Sequence, residues 1–204
     1  GEFRSLEHLR KTADYLNEGK YEEFFKEAAL VPKDSMFAAK VSELTAQAEE
    51  KLVKEFGARA QEAESKGNWS EAVTALQNIA RHIPARRDEL RGRIAKLEGF
   101  EEQRKSLQQA ETLAKDGKLD EARDLLKKLV NEGPYVEQAK KDLEQVEHQM
   151  SQREAVKLYD AGDGPKALET LKAIGQENDP LSVKVRSVIE SHRSMKELMD
   201  KTQF

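Results

Sequence analysis

Residues 66–84, KGNWSEAVTALQNIARHIP, decide the fold. Before Gly67 stand Ala60 and Ala63, and after it stand Ala72, Leu76 and Ile79. The later three, at +5, +9 and +12 from the glycine, share one face of a helix at about 3.6 residues per turn. The earlier pair shares a face of the preceding helix. Glycine suits the left-handed residue at which a helix stops and the chain turns back. Asn68 and Ser70 offer turn and N-cap chemistry just beyond it. Pro84 cannot continue a helix interior, so the second helix is expected to end near it. The stretch predicts a helical hairpin with small residues at its waist.

Three other stretches align with it: NEGKYEEFFKEAALVP (17–32), KDGKLDEARDLLKKLV (115–130) and DAGDGPKALETLKAIG (160–175). Their glycines, with Gly67, are Gly19, Gly117 and Gly162, spaced by 48, 50 and 45 residues along the chain. At +5 come Phe24, Ala72, Ala122 and Ala167, and at −7 come Thr12, Ala60, Ala110 and Ala155. At −4 stand Tyr15, Ala63, Leu113 and Leu158. Such recurrence is the mark of a repeat. Lys118 and Asp120 offer the third unit the same cap chemistry, and Pro32, Pro134 and Pro180 are read as further stops.

Between the prolines and the next glycine the apolar residues keep helical spacing. Val41, Leu44, Ala48, Leu52 and Phe56 predict a helix from about 38 to 65. Leu90, Ile94, Leu97, Phe100 and Leu107 predict one from about 86 to 115, and Ala139, Leu143, Val146 and Met150 one from 136 onward. Long helices thus alternate with short ones of about a dozen residues. Gly1-Glu2-Phe3 reads as a cloning scar, and residues 4–204 as a single domain of units around the four glycines.

Composition agrees. Charged residues are 36% and the apolar set 37%, with 11 Gly and 5 Pro, a mixture that favours helices over sheets. A net charge of −4 sets up no field attracting nucleic acid or anionic lipid. No apolar run is long enough to span a bilayer. With no cysteine, disulfides and thiolate chemistry are excluded. The compartment stays open between cytoplasm and periplasm.

The order small, apolar, Gly, aromatic, Glu, Ala, apolar, Pro resembles the tetratricopeptide repeat (TPR). Ala60, Ala63, Gly67, Trp69, Glu71, Ala72, Leu76, Ile79 and Pro84 carry the resemblance best. Ala110, Leu113, Gly117, Leu119, Glu121, Ala122, Leu126, Leu129 and Pro134 follow it closely. The fourth unit keeps Gly162, Ala167, Leu171 and Ile174, and the first keeps Gly19, Tyr21 and Glu23 but carries Phe24 at the small position. The period exceeds the family's, with the surplus after the prolines. The resemblance implies an all-α fold, an α-solenoid of about four TPR-like helical hairpins in which stacking supplies the core. It also implies that Trp69 and Tyr21 wedge between helices.

No catalytic motif is present: no Gly-rich phosphate loop and no HExxH. His8, His82, His148 and His192 lie far apart in the chain, so neither a metal nor a cofactor is expected and the protein is read as non-enzymatic. The family's groove-facing positions select Lys54, Gln61 and Glu64, then Arg104, Glu111 and Lys115, then Gln149, Gln152 and Tyr159. In the first unit they select Leu6, Leu9, Ala13 and Leu16, which also suit a packed terminus. One basic cluster, Arg81, Arg86, Arg87, Arg91 and Arg93, reads either as a patch for an acidic partner or as arginines that cap carbonyls and pair with nearby acids. Without interleaved aromatics the second reading is favoured, and nucleic acid is the weakest partner. Phe24, Phe25 and Phe37 fit either a differently packed terminal unit or an exposed patch. The expected function is a protein- or peptide-binding scaffold or adaptor, part of a larger bacterial assembly or signalling protein. The alternative is a homo-oligomer formed through the long helices.

Overall fold

The computed structural model describes residues 2–176 and 178–202, and every regular element among them is helical. The helices are α1 (Glu2–Asn17), α2 (Tyr21–Ala28), α3 (Ala38–Ser65), α4 (Trp69–His82), α5 (Arg87–Lys115), α6 (Leu119–Leu129), α7 (Val136–Asp160), α8 (Gly164–Ala173) and α9 (Pro180–Thr202). A 3₁₀ turn, Pro84–Arg86, precedes α5. Of the three residues read as a cloning scar, Gly1 lies outside the described residues, while Glu2 and Phe3 open α1.

The four corners are built alike. Each has three residues with glycine in the middle, at φ 69° for Gly19, 72° for Gly67, 79° for Gly117 and 83° for Gly162. The glycine N–H donates to the carbonyl three residues back, as from Gly67 to Glu64 at 3.0 Å. The next N–H donates five residues back: Lys20 to Tyr15, Asn68 to Ala63, Lys118 to Leu113 and Asp163 to Leu158, at 2.8–2.9 Å. This paired arrangement is the Schellman motif, which satisfies carbonyls that a helix end otherwise strands. Only a left-handed residue closes it, and glycine takes that conformation without a Cβ penalty.

N-capping follows a different course from the expected one. The next helix begins two residues after each glycine, so Ser70 and Asp120 fall inside α4 and α6. The side chains of Asn68 and Lys118 make no cap bond. Of the residues that follow the four glycines, Asp163 caps, accepting from the Lys166 N–H at 3.3 Å, and before α9 Asp179 likewise accepts from the Ser182 N–H at 2.7 Å. The first-turn acids Glu71, Asp120 and Glu121 complement the helix dipole instead.

Between the helices of each pair, the −7 and +5 residues meet at the waist. Thr12, Ala60, Ala110 and Ala155 are 0–1% exposed, and Phe24, Ala72, Ala122 and Ala167 are fully buried. Thr12 enters the core by donating its hydroxyl to the His8 carbonyl at 2.7 Å, which removes the penalty of an unpaired polar group. Phe24 replaces alanine and packs edge-to-face on Phe25, with centroids 5.1 Å apart.

Pro84 follows the end of α4 directly, but the other prolines are not the stops expected of them. α6 ends at Leu129 and α8 at Ala173, well before Pro134 and Pro180. After α8 a fifth Schellman corner forms at Gly175 (φ 72°), with Gln176 N–H bonded to the Leu171 carbonyl at 3.0 Å. Pro180 instead opens α9, where its missing N–H is no loss. α2 is shorter than expected, ending at Ala28, so Val31 is buried from the loop before Pro32.

The chain divides into two compact units, Gly1–Glu102 and Gln103–Phe204, with the division inside α5. Leu16, Phe24, Leu52, Leu76, Ile79, Leu90 and Leu97 anchor the core of the first. Leu107, Ala110, Leu119, Ala122, Leu126, Leu129 and Val146 form a core in the second, while Ala155, Ala167, Leu171 and Val185 are buried further along it. Each long helix serves two neighbours in turn. Early in α3, Leu44 and Ala48 belong to the same cluster as Leu16 and Phe24, and late in α3, Ala60 and Ala63 lie beside α4. The residues that lengthen the repeat supply the first of these contacts.

Candidate interaction surface

The second unit holds a built surface along α7. Its inward stripe is Ala139, Leu143, Val146 and Met150. One step round the helix, Asp142, Gln145, Gln149, Gln152 and Val156 follow each other at intervals of three and four residues, so they share a face. Neighbouring helices leave a series of hollows along it. The first, of about 280 Å³, has Glu111, Lys115, Asp142, Gln145 and Gln149 around a floor that includes Ala110 and Leu126. A second, of about 410 Å³, adds Lys141, Glu144 and His148 to Gln145, Gln149 and Gln152. The third, of about 740 Å³, is bounded by Gln149, Gln152, Arg153, Val156, Lys157 and Pro180. Gln149 borders all three. A further hollow of about 380 Å³ lies at the start of α6 and shares Arg153 and Lys157.

Several contacts hold these side chains in place. The Gln152 amide donates to the Gln176 side-chain carbonyl at 2.8 Å. Arg153 donates to the Gly117 carbonyl at 2.7 Å, tying α7 to the corner between α5 and α6. Gln138 donates to one Asp142 carboxylate oxygen at 2.7 Å, and the other carboxylate oxygen is buried without a partner.

Of the positions selected from the sequence, Glu111, Lys115 and Gln149 converge on one hollow, and Gln152 borders the next two. Arg104 and Tyr159 are half-buried. Lys54 and Gln61 are exposed on α3 in the first unit and border none of these hollows. Glu64 is engaged by Arg93, whose Nε and Nη2 lie 3.0 and 2.6 Å from one carboxylate oxygen. In the apolar set of the first unit, Leu16 is core, Leu9 and Ala13 are half-buried, and Leu6 is exposed. Asp142, Gln145, Arg153 and Lys157 were not selected, although the three- and four-residue spacing along α7 was there to be read.

The basic cluster largely pairs within the chain. Arg86 lies 3.5 Å from Glu89, Arg91 3.2 Å from Asp88, and Arg93 is held by Glu64. Arg81 and Arg87 remain exposed. His82 stacks on Phe25 with centroids 5.1 Å apart and ring planes 9° apart. Burial, and then the charge of Arg81, lower its pKa below the ordinary value of 6.5. Phe25 and Phe24 are thereby packed in the terminal unit, and Phe37 is half-buried at the start of α3. Trp69 meets Phe100 edge-to-face at 5.1 Å, and Tyr21 meets Phe56 at 6.2 Å while donating its hydroxyl to Glu55 at 3.0 Å. Both rings lie between a short helix and the long helix after it.

Among the described residues no cluster of three or more His, Asp or Glu is arranged to hold a metal ion. No helix among them is long and apolar enough to cross a membrane. Comparison with family models, curated proteins and solved structures yields no match for the chain.

Proposed function

We propose that the chain is a non-catalytic scaffold or adaptor domain, a TPR-like α-solenoid within a larger bacterial assembly, that docks another protein on the α7 face of its second unit. The observation that carries this reading is the convergence of Glu111, Lys115 and Gln149 on one hollow. Sequence positions selected for a groove, from two different helices, meet over an apolar floor. The recurring corners and small waists support the repeat architecture, because they give each unit one local geometry to stack. The pairing of Arg86, Arg91 and Arg93 with acids of the same chain disfavours nucleic acid as the partner.

Affinity capture from the source organism, run with the wild-type chain and with Glu111→Lys/Gln149→Arg in parallel, tests the reading. A protein held by the wild type and lost by the double variant supports it, and a captured set identical for both sinks it.

A second reading, self-association, is favoured by large apolar side chains at the surface. Met36 is 75% exposed and Met195 56%. Light scattering over a concentration range separates the two. An oligomer with no monomer at any dilution would replace the scaffold reading, and a monomer throughout would end the alternative.

A further inference from the structure

The docking reading leaves the partner's conformation and chemistry open, and the α7 face constrains both. Gln145, Gln149 and Gln152 recur at steps that amount to roughly 6 and 4.5 Å along a helix axis. An extended chain presents the same backbone edge every second residue, about 6.6 Å. Each glutamine amide offers donors and an acceptor, the pair that a peptide unit needs in return. Among the described residues, the side chains of Gln145 and Gln149 hold no hydrogen bond, so both amides are available.

Charge is ordered along the same line. At the first hollow Glu111 and Asp142 outnumber Lys115. At the third, Arg153 and Lys157 outnumber Asp179. Arg153 spends one N–H on a neutral carbonyl, and none of Glu111, Arg153 and Lys157 is in an ion pair among the described residues, although Asp120, Glu121 and Glu154 line the hollow beside the two cations. Asp142 and the Arg153–Lys157 pair are centred about 13 residues apart on α7, or roughly 20 Å. An extended chain covers that distance in about six residues, whereas a helix needs about thirteen.

We propose that this face binds an extended segment of a partner protein, laid with its backbone on Gln145 and Gln149. The segment carries a basic side chain at the Glu111–Asp142 end and an acidic one about six residues away at the Arg153–Lys157 end. This rests on the docking reading and narrows it to one class of occupant. The glutamines hold backbone and are indifferent to sequence. The charged ends fix the direction in which the segment lies.

The test is selection of short random displayed peptides on the intact chain, repeated on Glu111→Lys and on Lys157→Glu. Circular dichroism first confirms that each variant is folded. The expected result is enrichment of Lys or Arg paired with Asp or Glu at a separation of about six residues. Glu111→Lys is expected to abolish the basic preference and Lys157→Glu the acidic one. Gln149→Leu should weaken an enriched peptide by up to roughly tenfold, the value of one hydrogen-bonded pair. Enriched peptides with the charges about thirteen residues apart and helical in the complex would overturn the extended segment while leaving the docking reading intact. Enrichment indifferent to all three substitutions would overturn both, since the peptides would then bind elsewhere.

Discussion

The two compact units use one plan with different fillings. In the first, rings occupy the space between each short helix and the long helix that follows: Tyr21 with Phe56, and Trp69 with Phe100. In the second, Leu119 and Met150 stand where the repeat puts Trp69 and Phe100, and both border the 380 Å³ hollow at the start of α6. An aromatic pair fills that gap and an aliphatic pair leaves part of it open. At the waist, Phe24 in the first unit stands where Ala72, Ala122 and Ala167 stand in the other hairpins.

The strongest way to break this comparison is to exchange the waists. Phe24→Ala should destabilise the first unit by about 3–5 kcal/mol, because the ring is fully buried and its removal leaves a cavity. Urea denaturation followed by the fluorescence of Trp69, the one tryptophan in the sequence, reads that unit directly. Ala122→Trp should overfill the second unit and destabilise it by about 1–3 kcal/mol, seen by circular dichroism. An unchanged melting temperature would place Ala122 outside the waist.

Corners come next. Gly117→Ala forces a non-glycine residue to φ 79° and sets a methyl group 2.7 Å from the Arg153 guanidinium, whereas a methyl at Gly162 (φ 83°) meets nothing within 4 Å. Both should lose about 1–2 kcal/mol from the left-handed backbone alone. The loss at Gly117 should be the larger, because its bond to Arg153 is also disturbed. Equal losses in thermal melts would remove Arg153 from the account of that corner.

A smaller effect separates the units by pH. Burial and Arg81 hold the folded pKa of His82 below 6.5, so the unfolded chain binds the proton more readily. Stability from the neutral ring is therefore complete above 6.5 and declines as pH falls below that value toward the lowered folded pKa. Trp69-monitored denaturation should show this decline, and His82→Phe should remove it. Persistence of the same slope in that variant would assign the effect to another group.

The smallest predicted change is a gain. Gly92 and Gly99 lie within α5, and a methyl group at either meets nothing within 4 Å. Alanine at each should add up to about 1 kcal/mol from helix propensity, measured by denaturation.

Much of the fold was legible because its rules are local. A helix over 38–65 was read from apolar spacing, and α3 has those bounds. The positive φ of Gly19, Gly67, Gly117 and Gly162 follows from their place at a chain reversal. Errors arose where two local signals competed. Pro134 and Pro180 were taken as stops, yet α8 ends at Ala173, and the corner at Gly175 closes before the proline is reached. The surface was only partly legible. Helical periodicity puts Asp142, Gln145 and Gln149 on one face, but a hollow exists only where the neighbouring helices withdraw. That depends on side-chain volumes at Leu119, Leu126 and Met150, which no single helix encodes.

The four corners have a handedness of their own. Each asks one backbone position for the mirror image of the torsion that ordinary residues prefer, and glycine meets the request only by being indifferent. A D-amino acid would prefer that torsion outright. Chemical synthesis with D-alanine at Gly19 or Gly162 would therefore restrict the unfolded chain without straining the folded one. The repeat marks for the chemist the sites where reversed stereochemistry belongs.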